Sequence, residues 1–402
     1  MTRLGIFGGT FAPFHKGHRK ALEAFFEHAC LHRCLVIPAG IPPHKKKSAD
    51  FTDAQRLEMT RLACEDLPWA EVSDWEIRQD GASYTCKTLQ YLSERFPDTR
   101  LVLYVGSDMF LTLQNWYRPE EIFRLAEIAA FSRTGEDFDQ LTAHGKELKK
   151  AFPHLDYTLY PVPPFPVSST EIREKSVNGE DISHLVPPKV AALMREIQTA
   201  RFTALLTERL SEHRLKHSLG VAKEAEALAK IHGAPVEKAR IAGLLHDMTK
   251  EVPREEHFRL FEKYNLPLDE NLRNNKNLWH AVSASADVTE TFGITDPEII
   301  SAIRYHTTGK ADMTLPEAIL YMADLTDETR DYDDVDFYRM LARDHLEKAA
   351  LVAMRWCRDD VARRGFAVHE DMLKGIAWLE EKYPDVTEET EKTRLNYPMK
   401  GR

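Results

Sequence analysis

The sequence predicts two domains of different class in series, a parallel α/β domain over residues 1–200 and an all-helical domain over 201–386. Three observations carry this reading. A chain of 402 residues exceeds the size at which one hydrophobic core keeps growing. Up to about Tyr160, short runs rich in β-branched and aromatic residues alternate with segments of helix length, the signature of a parallel sheet with crossover helices. Beyond Arg201 that alternation stops, and apolar residues recur at helical spacing, as in Leu206, Leu210, Leu219, Ala222, Ala225, Leu228 and Ala229.

In chain order, strands are expected at Leu4–Phe7, Cys34–Ile37, Val72–Ile77, Leu101–Val105, Ile128–Phe131 and Tyr157–Tyr160. Lys20–Ala29, Asp53–Asp66 and Thr85–Phe96 are long enough to be crossover helices, the first two starting near plausible caps. A helix at Ser169–Val177 is stopped by Gly179, and another runs from Pro187-Pro188 to about Thr199, which puts the domain boundary near Ala200. The helices expected after it are Phe202–His232, Pro235–Asp247, Arg254–Tyr264, Trp279–Phe292, Pro297–Tyr305, Leu315–Arg330, Phe337–Arg364 and one near Met372–Lys382. The polar tail 387–402 is expected to be loose.

A net charge of −10 argues against a general nucleic-acid binder and suits small anionic substrates met in a local basic pocket. The five cysteines, without a C-x-x-C pair, read as reduced thiols rather than a zinc site or disulfides. The chain enters a strand directly, with no signal-like segment, and no apolar run approaches the ~18 residues of a membrane span, so a cytoplasmic protein without a membrane partner is expected.

The first strand leads into Gly8-Gly9, a turn that lets backbone approach a ligand closely, and then into His15 and His18 at the opening of a helix. Helix N-termini attract anions, and imidazoles there can donate to charge developing on a phosphoryl group, so the segment reads as a triphosphate cradle. Pro38–Lys45 follows the second strand as a rigid loop ending in a cation, with Lys45 able to hold a phosphate. Ser83-Tyr84-Thr85, Gly106-Ser107-Asp108, Trp116, and Val167-Ser168-Ser169-Thr170 before Arg173 complete an ordered set.

Together these motifs resemble bacterial nicotinate-nucleotide adenylyltransferase, of the two-histidine nucleotidyltransferase superfamily, across roughly residues 1–198. The resemblance implies a Rossmann-like domain in which the phosphate of nicotinate mononucleotide attacks the α-phosphorus of ATP, with Mg²⁺ bridging the triphosphate, giving deamido-NAD and pyrophosphate. It implies catalysis by His15, His18 and Arg173, and an ATP site formed by Gly8, Gly9, Thr10, Phe11, Gly106, Asp108, Ser168, Ser169 and Thr170. His44, Lys45, Thr85, Trp116 and Arg133 would meet the mononucleotide, Trp116 stacking on the pyridine ring. The family usually has Asp where this chain has Ala12, so a carboxylate is missing beside the phosphate loop; activity is expected to be retained because the histidines are present. Nicotinamide mononucleotide or another phosphomonoester, such as phosphopantetheine, is the competing acceptor.

In the second half, His217, His246-Asp247, His280, His306 and Asp324 lie in or at the ends of expected helices, a donor set that suits Mn, Fe, Zn or Ni rather than Ca. Adjacent His-Asp can feed two ions through one bridging carboxylate, and Lys250 is placed to hold a phosphate. Ala242–Lys250, Ala302–Gly309 and Ala323–Arg330 resemble the HD superfamily and, within it, symmetrical bis(5′-nucleosyl)-tetraphosphatase, over about residues 203–365. That resemblance implies splitting of diadenosine tetraphosphate into two ADP at a di-iron site. His217, His246, Asp247 and Asp324 would hold one ion and Asp247, His280 and His306 the other, while Asp247 and Lys250 serve the chemistry and Thr307, Thr308, Gly309, Lys310 and Arg330 line the phosphate path. A regulatory nucleotide-binding module and a mononucleotide phosphatase are the alternatives for this half.

Overall fold

The computed structural model describes residues 2–41, 50–132, 135–161 and 166–386. They divide into two compact units, one of Met1–Glu174 with Ile182–Arg195, the other of Lys175–Asp181 with Glu196–Arg402.

The first unit is built on six parallel strands in the order β3-β2-β1-β4-β5-β6. They are β1 (Thr2–Gly9), β2 (Arg33–Pro38), β3 (Ala70–Val72), β4 (Thr99–Gly106), β5 (Ala126–Ser132) and β6 (Tyr157–Pro161). The connecting helices are α1 (Lys16–His28), α2 (Asp53–Cys64), α3 (Thr85–Arg95), α4 (Ser107–Phe110), α5 (Pro119–Leu125), α6 (Gly135–Ala151) and α7 (Ser169–Val177), and α8 (Pro188–Thr207) follows. Leu4, Ile6, Val36, Val102, Leu103 and Ile128 are buried, as befits strands covered on both faces. Strand order reverses at β1, so a crevice opens at the carboxyl ends of β1 and β4, where open α/β sheets bind ligands. At the opposite, amino ends of β1, β4 and β5, Glu127 accepts from Arg3 at 3.0 Å and from Arg100 at 2.8 Å.

The second unit is helical: α9 (Glu212–His232), α10 (Val236–Leu245), α11 (Arg254–Lys263), α12 (Glu270–Asn274), α13 (Lys276–Phe292), α14 (Pro297–Tyr305), α15 (Leu315–Thr326), α16 (Val335–Asp344), α17 (Leu346–Arg363) and α18 (Glu370–Lys382). Val221, Leu245, Ile303, Ile319 and Met322 lie in one shared core. Gly243 lets α10 approach α9, since an added Cβ would stand 2.8 Å from the Ala222 Cα. Among the described residues no helix is long and apolar enough to cross a membrane.

Several boundaries differ from expectation, each for a local reason. The strand expected at Val72–Ile77 ends at Val72, and Trp75 and Glu76 instead pack on α3, with Trp75 stacked on Tyr91 at 4.7 Å and Glu76 accepting from Thr88 at 2.7 Å. The helix expected over Phe202–His232 is two, because the Ser211 hydroxyl caps Arg214 N while the Glu251 carboxylate takes the Ser211 N–H at 2.6 Å. Consequently α8 continues through Ala200, and the expected boundary falls inside a helix. Leu315–Arg330 stops at Thr326, where the Asp327 carboxylate folds back to accept Thr329 N–H at 2.8 Å. Phe337–Arg364 is divided at His345, whose backbone leaves the helical region with φ −147° and ψ 82°. The polar helix α6 and the short α4, α5 and α12 carry too little apolar periodicity to be read from sequence. The tail 387–402 lies outside the described residues.

Candidate functional site

At the carboxyl end of β1, Gly9 must be glycine, because a Cβ would meet the Phe11 ring at 2.5 Å. Phe11 holds a left-handed backbone (φ 49°), and its side chain is buried between Phe7 and Phe14, so only its backbone is available to a ligand. The chain then enters α1 through a reciprocal cap. The His18 N–H donates to His15 Nδ1, and the His15 N–H donates to His18 Nδ1, both at 3.2 Å. Both Nδ1 atoms accept, which leaves the ring protons on Nε2 and presents two N–H donors from rings stacked 3.5 Å apart. Burial pushes His15 down to about 4, so it is a neutral donor at physiological pH.

The Ser168–Arg173 segment converges on the same loop. Arg173 Nη1 donates to the Ala12 carbonyl at 2.8 Å and Nη2 to Thr170 Oγ1 at 3.3 Å, while Nε pairs with Asp50 at 2.8 Å. Ser169 Oγ donates to the Pro13 carbonyl at 3.1 Å, and Ser168 Oγ accepts Glu171 N–H at 3.1 Å. Gly8 and Thr10 lie on the β1 loop, and Gly106 and the exposed Asp108 follow β4. Thr85 opens α3; its neighbour Tyr84 packs on Tyr117 at 4.5 Å, which brings the Thr85 and Trp116 segments together, and Trp116 is itself half-buried against the sheet's core. His44, Lys45 and Arg133 lie outside the described residues.

Sequence reasoning missed Arg56. This α2 guanidinium is 2% exposed and donates to the Thr10 and Ala39 carbonyls, both at 2.6 Å, and to Asp53 at 2.5 Å. It thereby ties the loop after β1 to the loop after β2.

In the second unit, α9, α10, α13, α14 and α15 bring all six expected ligands into one cluster. Within each of three groups (His217, His246, Asp247; His246, His306, Asp324; Asp247, His280, His306) the donor atoms lie within 4.8 Å of one another. Asp247 divides its oxygens: Oδ2 is 3.9 Å from His217 Nε2 and 3.5 Å from His246 Nε2, while Oδ1 is 3.2 Å from His280 Nε2 and 3.8 Å from His306 Nε2. Asp324 Oδ1 stands 3.0 Å from His217 Nε2. His217 Nε2, His246 Nε2 and Asp247 Oδ1 are buried without a hydrogen bond of good geometry, and the His280 and His306 Nε2 atoms face each other at 3.1 Å. Buried imidazole nitrogens and carboxylate oxygens gathered this closely, several of them without a hydrogen bond, fit divalent cations. Burial drives His280 well below its ordinary range and His306 down to about 4, so both are neutral with lone pairs to give. Burial alone would raise Asp247; its contact with the His246 imidazole and the nearby Lys250 ammonium outweigh it and hold the carboxyl well below its ordinary range.

Three cations rim the cluster. Lys250, the residue expected to hold a phosphate, has Nζ 3.0 Å from His280 Nε2 and 3.7 Å from Asp247 Oδ1. Arg330 grips Asp324 through its side chain and carbonyl. Arg214, which sequence reasoning missed although it lies one helical turn before His217, donates to Asp247 Oδ2 at 2.9 Å. Of the remaining expected path residues, Thr307 is half-buried and Gly309 turns the chain with φ 62°. Thr308 and Lys310 are engaged elsewhere: buried Thr308 donates to the Gly309 carbonyl at 2.9 Å, and Lys310 lies 3.4 Å from Glu317 over the Tyr305 ring. Asp327, also missed, is fully buried behind His217.

The Cytidylyltransferase-like family model matches residues 6–175, and the HD domain model matches residues 214–336. Over 196 residues the chain is 33% identical to a probable nicotinate-nucleotide adenylyltransferase from Clostridium tetani (strain Massachusetts / E88), spanning 49% of this chain and 98% of that protein. It is 37% identical over 190 residues to a probable nicotinate-nucleotide adenylyltransferase from Desulfitobacterium hafniense (strain Y51), 47% of this chain and 90% of that protein. Among solved structures, a predicted HD superfamily hydrolase involved in NAD metabolism from Clostridium acetobutylicum shares 33% identity, covering 46% of this chain and 97% of that one, with a TM-score of 0.45.

Proposed function

We propose, for a chain that belongs to the nicotinate-nucleotide adenylyltransferase family through its first half and carries an HD domain in its second, a bifunctional enzyme of nucleotide chemistry. The first unit transfers AMP from ATP to nicotinate mononucleotide. The observation that carries this is the pair of stacked imidazoles of His15 and His18, fixed by their mutual cap at the start of the helix that follows β1. An oxygen of the mononucleotide phosphate attacks the α-phosphorus, the bond to the β-phosphate breaks, and pyrophosphate leaves with the electron pair. Alignment and charge neutralisation carry such a step. The two imidazoles donate to the developing charge, and Arg173 with Ser168–Thr170 steadies the loop that holds the triphosphate, with Mg²⁺ arriving on the ATP. Pyrophosphate release from ATP and nicotinate mononucleotide tests this. Preference for nicotinamide mononucleotide or phosphopantetheine would replace the acceptor, and ATP affinity without pyrophosphate would overturn the reading.

The second unit hydrolyses diadenosine tetraphosphate symmetrically to two ADP. Its support is the Asp247 carboxylate, whose two oxygens face two separate sets of imidazoles. His217, His246, Asp247 and Asp324 would hold one transition-metal ion, and Asp247, His280 and His306 a second, iron first with Mn, Zn or Ni as substitutes. Such a pair, when bound, supplies Lewis-acid polarisation and a nucleophilic water at neutral pH. Lys250, Arg214 and Arg330 would turn from the ligand carboxylates to the phosphates, a fit to a polyanion with several phosphates. Chromatography of the products with diadenosine tetraphosphate tests the reading: ADP alone supports it, binding without products indicates a regulatory module, and orthophosphate from mononucleotides indicates a mononucleotide phosphatase.

A further inference from the structure

Each imidazole of the cluster can ligate through Nε2 only if its Nδ1 carries the proton, and the partner at Nδ1 decides that. His246 Nδ1 faces the Gly243 carbonyl and His306 Nδ1 the Ile303 carbonyl, each at 2.7 Å. His280 Nδ1 has the Lys250 ammonium 3.4 Å away, a cation that does nothing to hold a proton there. Among the described residues only His217 has a carboxylate there: Asp327 Oδ2 lies 3.2 Å from Nδ1, with Thr329 Oγ1 beside it at 3.4 Å. Asp327 is fully buried and held from its other side, since Oδ1 accepts from Thr329 N at 2.8 Å and Thr329 Oγ1 at 2.6 Å, while Arg330 Nε stands 3.3 Å from Oδ2. Space for it is made by Gly220 on α9, where an added Cβ would lie 2.7 Å from Asp327 Oδ1.

We propose that Asp327 is a positioning residue that makes the two metal positions unequal, so that the position at His217, His246 and Asp324 fills first and the position at His280 and His306 fills second. The inference rests on the two-metal reading above. A carboxylate behind a ligand imidazole fixes the tautomer, aims the ring and increases its basicity, and losing such a partner lowers metal affinity about 10–100-fold. The first position gains this support together with the Asp324 carboxylate. The second shares Asp247 and has Lys250 as its neighbour.

Asp327→Asn keeps the shape. Because the Thr329 donors hold the amide oxygen, it presents an N–H to His217 Nδ1, which favours the ring proton on Nε2 and opposes ligation there. Gly220→Ala displaces Asp327 without altering charge, and alanine favours the middle of a helix, so lost helix propensity cannot explain its effect. Metal-free full-length protein is titrated with Mn²⁺, and free Mn²⁺ is followed by electron paramagnetic resonance, which counts bound ions without any enzymatic assay. The expected result is two classes in the wild type, one ion each, with the tighter weakened about 10–100-fold in both variants and the weaker unchanged within about twofold. Two equal classes in the wild type, or a tight class retained in both variants, overturns the ordering while leaving the two-metal centre intact. Uptake of fewer than two ions by the wild type overturns the two-metal reading and the ordering with it.

Discussion

His15 does two jobs with two ring nitrogens. Nδ1 caps α1 by accepting the His18 N–H, and Nε2 is left with the ring proton. The jobs can be separated, because asparagine caps helices as well as any residue but carries no ring donor. His15→Asn is expected to unfold within about 1 kcal/mol of the wild type, yet to release pyrophosphate about 100-fold more slowly at saturating substrates. Equal loss of folding and turnover would return His15 to a structural role. Burial also makes His15 a pH-dependent liability. Its folded value near 4 lies below the ordinary 6.5, so the unfolded chain takes up the proton first, and stability falls as pH drops from 6.5 to 4. This group accounts for roughly 3 kcal/mol across that window and for nothing above it. Denaturant midpoints at pH 7 and pH 4.5 should therefore differ less in His15→Asn than in the wild type.

Between elements, the loops after β1 and β2 are joined by a side chain rather than by backbone pairing alone. Arg56 reaches from α2 to carbonyls on both. Arg56→Met strands those carbonyls and Asp53, at a loss of about 3 kcal/mol. Because the β1 loop faces ATP and the β2 loop leads toward the acceptor in the proposed reaction, KM for both substrates should rise together while kcat changes less. A rise for one substrate only would refute the clasp. This residue also marks where sequence reading runs out. The Gly-Gly turn, the two histidines and the His-Asp pair are legible because unusual residue types recur at fixed short spacing, and the sheet is legible because its buried strands are near-continuous apolar runs. Arg56, Arg214 and Asp327 are ordinary surface types in sequence, and only packing in the fold buries Arg56 and Asp327 and brings the half-buried Arg214 to Asp247. The helix break at Ser211 is hidden similarly, since the carboxylate that stabilises it, Glu251, comes 40 residues later.

On the scale of the whole molecule, the two units do not follow one another along the chain. Lys175–Asp181 belongs to the second, and Ile182–Arg195 returns to the first. Asn178 shows what the early segment contributes: its Oδ1 accepts Thr295 N–H at 2.7 Å and Asp296 N–H at 2.8 Å, at the start of α14. Asn178→Ala should destabilise the helical unit by about 1–2 kcal/mol, read as a shift of its denaturant midpoint, with pyrophosphate release by the first unit unchanged. An unshifted midpoint would show that the segment is ornamental to that unit.

The same crossing sets an order of events during synthesis. Asn178 leaves the ribosome 117 residues ahead of the backbone groups it must meet. At about 5–20 residues per second that is roughly ten seconds, during which Asn178 has no final partner at the start of α14. The nascent sheet can close in that interval, so the stretch 175–181 is a point at which a holdase chaperone would find exposed chain on an otherwise folding polypeptide.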